Sequence, residues 1–141
     1  MITTHLFAFF TAAPSELVWA ALTDADQTGQ YLQGVTLRSD WRPGSPVTFV
    51  YGDIEAARGD VVAAEPNSRL SLAIEGGHGP ATIVTWELRA AAGGTVVRLY
   101  VDEPGDEDAG ERQEVEDTWL ASLADLQGIL RSDFVDGRAA T

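Results

Sequence analysis

The sequence contains no cysteine and no lysine. Without cysteine there can be no disulfide, no thiolate metal site and no cysteine nucleophile. Imidazole chemistry is left to two histidines, His5 and His78, which are far apart in the chain. All nine basic residues are arginine, and they face 22 acidic residues, giving a formal charge of −13. A surplus of that size repels phosphate backbones and anionic lipid head groups, so nucleic acid and membrane surfaces are disfavoured as partners. No apolar run approaches the roughly 18 residues of a membrane span. The stretch Met1 to Thr11 has neither a basic leader nor an apolar core of signal-peptide length, and a cytoplasmic location is the expectation.

What remains is an ordinary globular composition, 45% hydrophobic and 22% charged, in 141 residues. That length predicts a single domain over residues 1–141, with an ordered core over about 5–131 and a tail at 132–141. His5 to Thr11 is short and rich in Phe, as a strand is. Pro14 suits the first position of a helix, and Leu17, Val18, Ala21 and Leu22 continue a helical spacing to about Thr23. Asp24 with Gln27 has the form of a capping box and predicts a second short helix carrying Tyr31 and ending at Gly34.

From Val35 the texture changes to short strands separated by turn signals at Arg42-Pro43-Gly44, Gly52-Asp53, Glu65 to Ser68, Glu75 to Pro80 and Gly93-Gly94. Val84, Trp86 and Leu88 alternate with Thr85, Glu87 and Arg89, and Val97, Leu99 and Val101 alternate with Arg98 and Tyr100. Such alternation, joined by short links, predicts an antiparallel meander with one buried face. Val115, Trp119, Leu123, Leu126 and Leu130 then recur at steps of four, four, three and four, which is one apolar stripe of a long helix. Its approach, Asp102 to Asp117, holds nine of the 22 acids and only Arg112 in answer. The fold class expected is α+β, with the last helix burying its stripe on the sheet.

These blocks carry a resemblance. Ala13-Pro14-Ser15-Glu16-Leu17-Val18-Trp19-Ala20-Ala21-Leu22-Thr23-Asp24 resembles the opening of the activator of Hsp90 ATPase homologue 1-like (AHSA1) family, within the SRPBCC/START/Bet v 1-like superfamily. Asp40-Trp41-Arg42-Pro43-Gly44 is similar to a turn of that family, as are Gly59-Asp60-Val61-Val62 with Glu65 to Leu70, Val84 to Leu88 with Gly94 to Leu99, and the closing Trp119, Leu123 and Leu126. Tyr31 stands where the family usually has Trp, and Ser45 replaces the second glycine of the turn. The resemblance implies a helix-grip fold, an antiparallel sheet wrapped around a long C-terminal helix with a cavity between them. It implies a binding protein for a small apolar or aromatic, lipid- or polyketide-like molecule. Two alternatives go with it: a polyketide cyclase, aromatase or hydrolase, and an Hsp90-type co-chaperone or stress-response partner.

The cavity lining expected on this reading is Trp19, Tyr31, Phe49, Tyr51, Leu72, Trp86, Leu99, Trp119 and Leu123. Such side chains would remove ligand surface from water at about 25 cal/mol per Å². The competing reading of each is core filling. Tyr31, Tyr51 and Trp86 stand out because an amphipathic ring can orient a ligand as well as cover it. No catalytic residue is assigned: neither histidine lies near a strained serine turn, and the cyclase alternative would need an inward Tyr or Arg. No metal or cofactor is expected, because two isolated histidines miss every zinc spacing and Asp106, Asp108 and Gly110 place the glycine one position early for a calcium loop. The partner expected is a small ligand, with the chain a monomer or weak homodimer, and the acidic approach to the last helix is read as the rim of the cavity's mouth.

Overall fold

The computed structural model describes the backbone of residues 2–32, 34–75, 81–105 and 108–139, and side chains as far as residue 131. Strand β1 (Ile2–Thr11) is followed by helices α1 (Ser15–Thr23) and α2 (Ala25–Tyr31). Six strands follow: β2 (Val35–Ser39), β3 (Pro46–Tyr51), β4 (Ile54–Glu65), β5 (Arg69–Glu75), β6 (Thr82–Ala91) and β7 (Gly94–Pro104). Helix α3 (Ala109–Ala139) closes the chain. The strands form one antiparallel sheet in the order β1-β7-β6-β5-β4-β3-β2, so β2 to β7 is a continuous meander and β1 crosses over to pair with β7.

Among the described residues the turns form where the sequence places them, for a backbone reason, while the turn expected after Glu75 lies outside the described residues. Gly44, Gly52 and Gly93 have positive φ, as does Asn67, whose short polar side chain tolerates that region. Gly59 serves a different purpose: a Cβ there would run into the carbonyl of Ala73, so only glycine lets β4 and β5 approach in this register. The alternation in β6 and β7 is realised as expected, with Val84, Trp86 and Leu88 opposite Val101, Leu99 and Val97 and all six buried. Leu123, Leu126 and Leu130 of α3 are buried against this inner face, together with Val18 and Leu22 of α1.

The ends of the elements correct several expectations. β1 begins at Ile2, three residues before His5. Pro14 is the N-cap of α1 and not its first helical residue: its ψ of 159° is extended, and its carbonyl accepts the first helical bonds from Leu17 and Val18. The Asp24 side chain caps α2 by accepting from the Asp26 N–H at 2.8 Å. The reciprocal half of a capping box does not form, since the buried Gln27 Oε1 has no partner. α2 stops at Tyr31, and Gly34, with φ of 88°, turns the chain into β2. The backbone of α3 is helical to Ala139.

Small polar side chains fix the helices to the sheet. Thr28 Oγ1 accepts from the Leu37 N–H at 3.0 Å and so binds α2 to the edge of β2. Thr95 Oγ1 donates to the Ala13 carbonyl at 2.9 Å and holds the β1–α1 turn on the start of β7. Asp108 caps α3, accepting from the Glu111 N–H at 2.8 Å, and this hydrogen bond holds its carboxyl below the usual carboxylate range.

Two expectations test this packing. Leu126 is fully buried and Leu120, on the opposite side of α3, is 53% exposed. Leu126→Ala should therefore lose about 2–5 kcal/mol in urea unfolding, while Leu120→Ala stays within about 0.5 kcal/mol of the parent. Asp108 has a depressed folded pKa, so its contribution is present above the ordinary carboxylate value and is lost as pH falls through the folded one. The Tm advantage of the parent over Asp108→Asn should accordingly be present at neutral pH and shrink progressively below about pH 4. A gap that is constant down to acid pH would show that the cap's charge contributes nothing.

Candidate functional site

Of the nine side chains expected to line a cavity, five fill the interior. Tyr31, Leu72, Trp86, Leu99 and Leu123 are 1–4% exposed and belong to the core. Tyr31 donates its hydroxyl to the Leu22 carbonyl at 3.3 Å, and burial pushes the phenol above its ordinary range. Its ring meets Trp86 edge-on, with centroids 6.4 Å apart and planes at 89°. Trp86 in turn meets Trp119 at 6.3 Å and 73°. The three rings form a chain of T-shaped contacts, a geometry favoured by the ring quadrupoles, from beneath α2 across the sheet to α3.

The other four differ. Trp19, Phe49 and Trp119 are half-buried against the core. Tyr51, also expected to line the cavity, is 58% exposed at the end of β3. It shares the parity of Phe49, but it lies at the strand's last position, where its ring packs against Gly34. Parity sets which face a side chain points to, and says nothing of whether another layer covers that face.

Among the described residues, Trp119 of this set lines a concavity. A cleft of about 320 Å³, open to solvent, lies between β7 and α3 and is lined by Glu103, Glu114, Val115, Thr118 and Trp119. Val115 and Trp119 are one helical turn apart and give it an apolar wall. Glu103 is held in place by Thr82, whose hydroxyl donates to its Oε2 at 2.9 Å. One residue beyond Val115, Glu116 Oε1 lies 3.5 Å from Nδ1 of the buried His5, a contact that joins β1 to α3. Glu103, Glu114, Val115 and Thr118 were not foreseen as a group. The available signal was the shared helical face of Glu114, Val115, Thr118 and Trp119, but nothing local to the sequence brings Glu103 beside them.

The other chemistry-bearing residues lie elsewhere. Arg38, Arg58, Arg69 and Arg89 are exposed and Arg98 is half-buried, with Arg69, Glu87 and Arg98 forming one cross-strand row of alternating charge. Beside that row, on the same face, Ser71 and Thr85 share a buried hydrogen bond of 2.9 Å. His78 and Asp106 lie outside the described residues. Among the described residues no cluster of three or more His, Asp or Glu could hold a metal ion, and no helix is long and apolar enough to cross a membrane.

Comparison with known proteins places this arrangement. The profile of the family described as Activator of Hsp90 ATPase homolog 1-like protein, AHSA1, matches residues 12–131. No curated protein sequence matches the chain. Among solved structures, CalU16 from Micromonospora echinospora is 22% identical with a TM-score of 0.72, over 94% of this chain and 79% of its own. ChR145 from Cytophaga hutchinsonii is 25% identical with a TM-score of 0.76, over 94% and 97%. PFC0360w, an HSP90 activator from Plasmodium falciparum, is 15% identical with a TM-score of 0.74, over 90% and 95%. The sheet gripping a C-terminal helix is thus a fold shared with these proteins, and a profile match from the approach to α1 through the last buried turn of α3 shows that the chain belongs to the AHSA1 family.

Proposed function

We propose that the protein binds a small apolar or aromatic molecule at the cleft between β7 and α3, with Trp119 as the contact surface. The observation that carries this reading is the cleft itself: about 320 Å³ beside a half-buried tryptophan that leads through Trp86 into the aromatic core. That volume is at the lower end of the range for small-molecule sites, which combine an apolar wall with a few fixed polar groups. Here the wall is Trp119 and Val115, and the polar groups are Glu103, Glu114 and Thr118. An aromatic ligand stacked on Trp119 would lose apolar surface at about 25 cal/mol per Å². The two carboxylates favour neutral or cationic ligands over anionic ones.

The binding reading is better supported than catalysis. A cyclase or hydrolase on this scaffold would call for an inward tyrosine or arginine. The inward tyrosine, Tyr31, spends its hydroxyl on the Leu22 carbonyl, and its phenol is pushed further from proton exchange near neutral pH. The strand arginines Arg38, Arg58, Arg69, Arg89 and Arg98 are exposed or on the outer face. The co-chaperone reading rests on the family description and on the activator among the structural neighbours, and no feature of the cleft speaks for it.

With four tryptophans, binding is expected to change intrinsic fluorescence. Titration with neutral and cationic aromatics should quench or shift emission and raise Tm, and Trp119→Ala should abolish both responses without unfolding the chain. Glu103→Gln combined with Glu114→Gln should reduce the preference for cationic over anionic members of a matched ligand pair. If a broad panel of apolar and aromatic compounds moves neither fluorescence nor Tm, the reading fails. Stimulation of an Hsp90-type ATPase would then be the one to test.

A further inference from the structure

The two edges of the sheet are finished differently. β2 is five residues long, carries Arg38, and has its free side bonded to α2 through Thr28 and Leu37. β1 is ten residues long and pairs with β7 without a register shift from Ile2 to Thr11. It has no proline, no bulge and no charged residue, the devices by which exposed edges are normally protected. Every second residue of an edge strand turns its N–H and C=O away from the sheet, and among the described residues no strand pairs with that side of β1. Its outer face is apolar as well: Ile2, Leu6 and Phe10 are 68%, 60% and 54% exposed. The first 15 residues hold no Asp, Glu, Arg or Lys, the longest such stretch in a chain of charge −13. This is therefore where two copies could approach with least repulsion.

We infer that β1 is a self-association edge, pairing antiparallel with β1 of a second copy about a two-fold axis through Leu6. The sequence of the outer face favours a second copy over an unrelated strand, because it reads alike in both directions. In that register Leu6 meets Leu6 of the second copy, Phe10 meets Ile2, and Ala8 meets Thr4. The neighbouring strand extends the match, since β7 sets Val96 beside Phe10, Arg98 beside Ala8, Tyr100 beside Leu6, Asp102 beside Thr4 and Pro104 beside Ile2. Across the seam the rows then run apolar with apolar, and the row holding Arg98 of one copy ends on Asp102 of the other. The pairing joins two seven-stranded sheets into one continuous sheet and satisfies the open ladder of β1.

The absence of native cysteine makes the register directly testable. In the paired form two Leu6 Cα atoms lie about 5.5 Å apart, within disulfide range, whereas two Ala8 Cα atoms are displaced by four residues, about 14 Å. Leu6→Cys should cross-link nearly completely under mild oxidation while Ala8→Cys does not, and an equal mixture of Thr4→Cys and Ala8→Cys should yield the mixed dimer. Analytical ultracentrifugation should show a dimer of the parent chain, and Leu6→Lys, which sets like charges opposite each other, should raise its Kd at least about tenfold. Because Leu6 is exposed in the single chain, circular dichroism of that variant should be unchanged. A parent that stays monomeric up to about 1 mM, a dimer that survives Leu6→Lys, or cross-linking of Ala8→Cys as fast as Leu6→Cys would each overturn the proposal.

Discussion

Everything else in this molecule depends on one contact: the apolar stripe of α3 lying across the inner face of a seven-stranded sheet. A sheet of alternating strands buries one face only if another layer covers it, and α3 with α1 is that layer. The leucines at 123, 126 and 130 provide the tightest part of the seam, all at 4% exposure or less. Towards its N-terminal half the stripe changes from leucine to Trp119 and Val115, and both side chains become half-buried. The seam therefore loosens towards one end, and the cleft is found there.

The same transition explains why the aromatic residues act as a series. Tyr31 is sealed beneath α2, Trp86 spans the middle of the sheet, and Trp119 emerges at the cleft. The aromatic contacts thus continue from the buried core to the half-buried Trp119 at the cleft. The acidic approach to α3 acquires a local meaning in this setting. Asp108 fixes the start of the helix, Glu114 and Glu103 line the cleft, and Glu116 meets His5. The negative charge seen in the composition is thus partly a set of placed carboxylates.

Much of the fold was legible in the sequence because it is governed by local rules. Period-two alternation in β6 and β7, the glycine and asparagine turns, and the four-and-three spacing of α3 each depend on residues close in the chain. The resemblance to the family added the arrangement of those elements. What the sequence left hidden depends on distant partners. Tyr51 has the parity of an interior residue but no covering layer, and Gln27 has the position of a capping residue but not the geometry. Glu103 joins the cleft only because β7 runs alongside α3. The ring contacts of Tyr31, Trp86 and Trp119 likewise appear only when the three are placed together, since apolar residues that line a void and those that pack a core have the same sequence pattern.

The most direct test of the account is a nuclear magnetic resonance titration of the four indole N–H signals, those of Trp19, Trp41, Trp86 and Trp119, with an aromatic ligand found by screening. The expected result is a large shift of Trp119, a smaller one of Trp86, which it contacts, and little change at Trp19 and Trp41. Saturable shifts centred on Trp19 or Trp41, with Trp119 unmoved, would contradict a binding site at the seam between the sheet and α3.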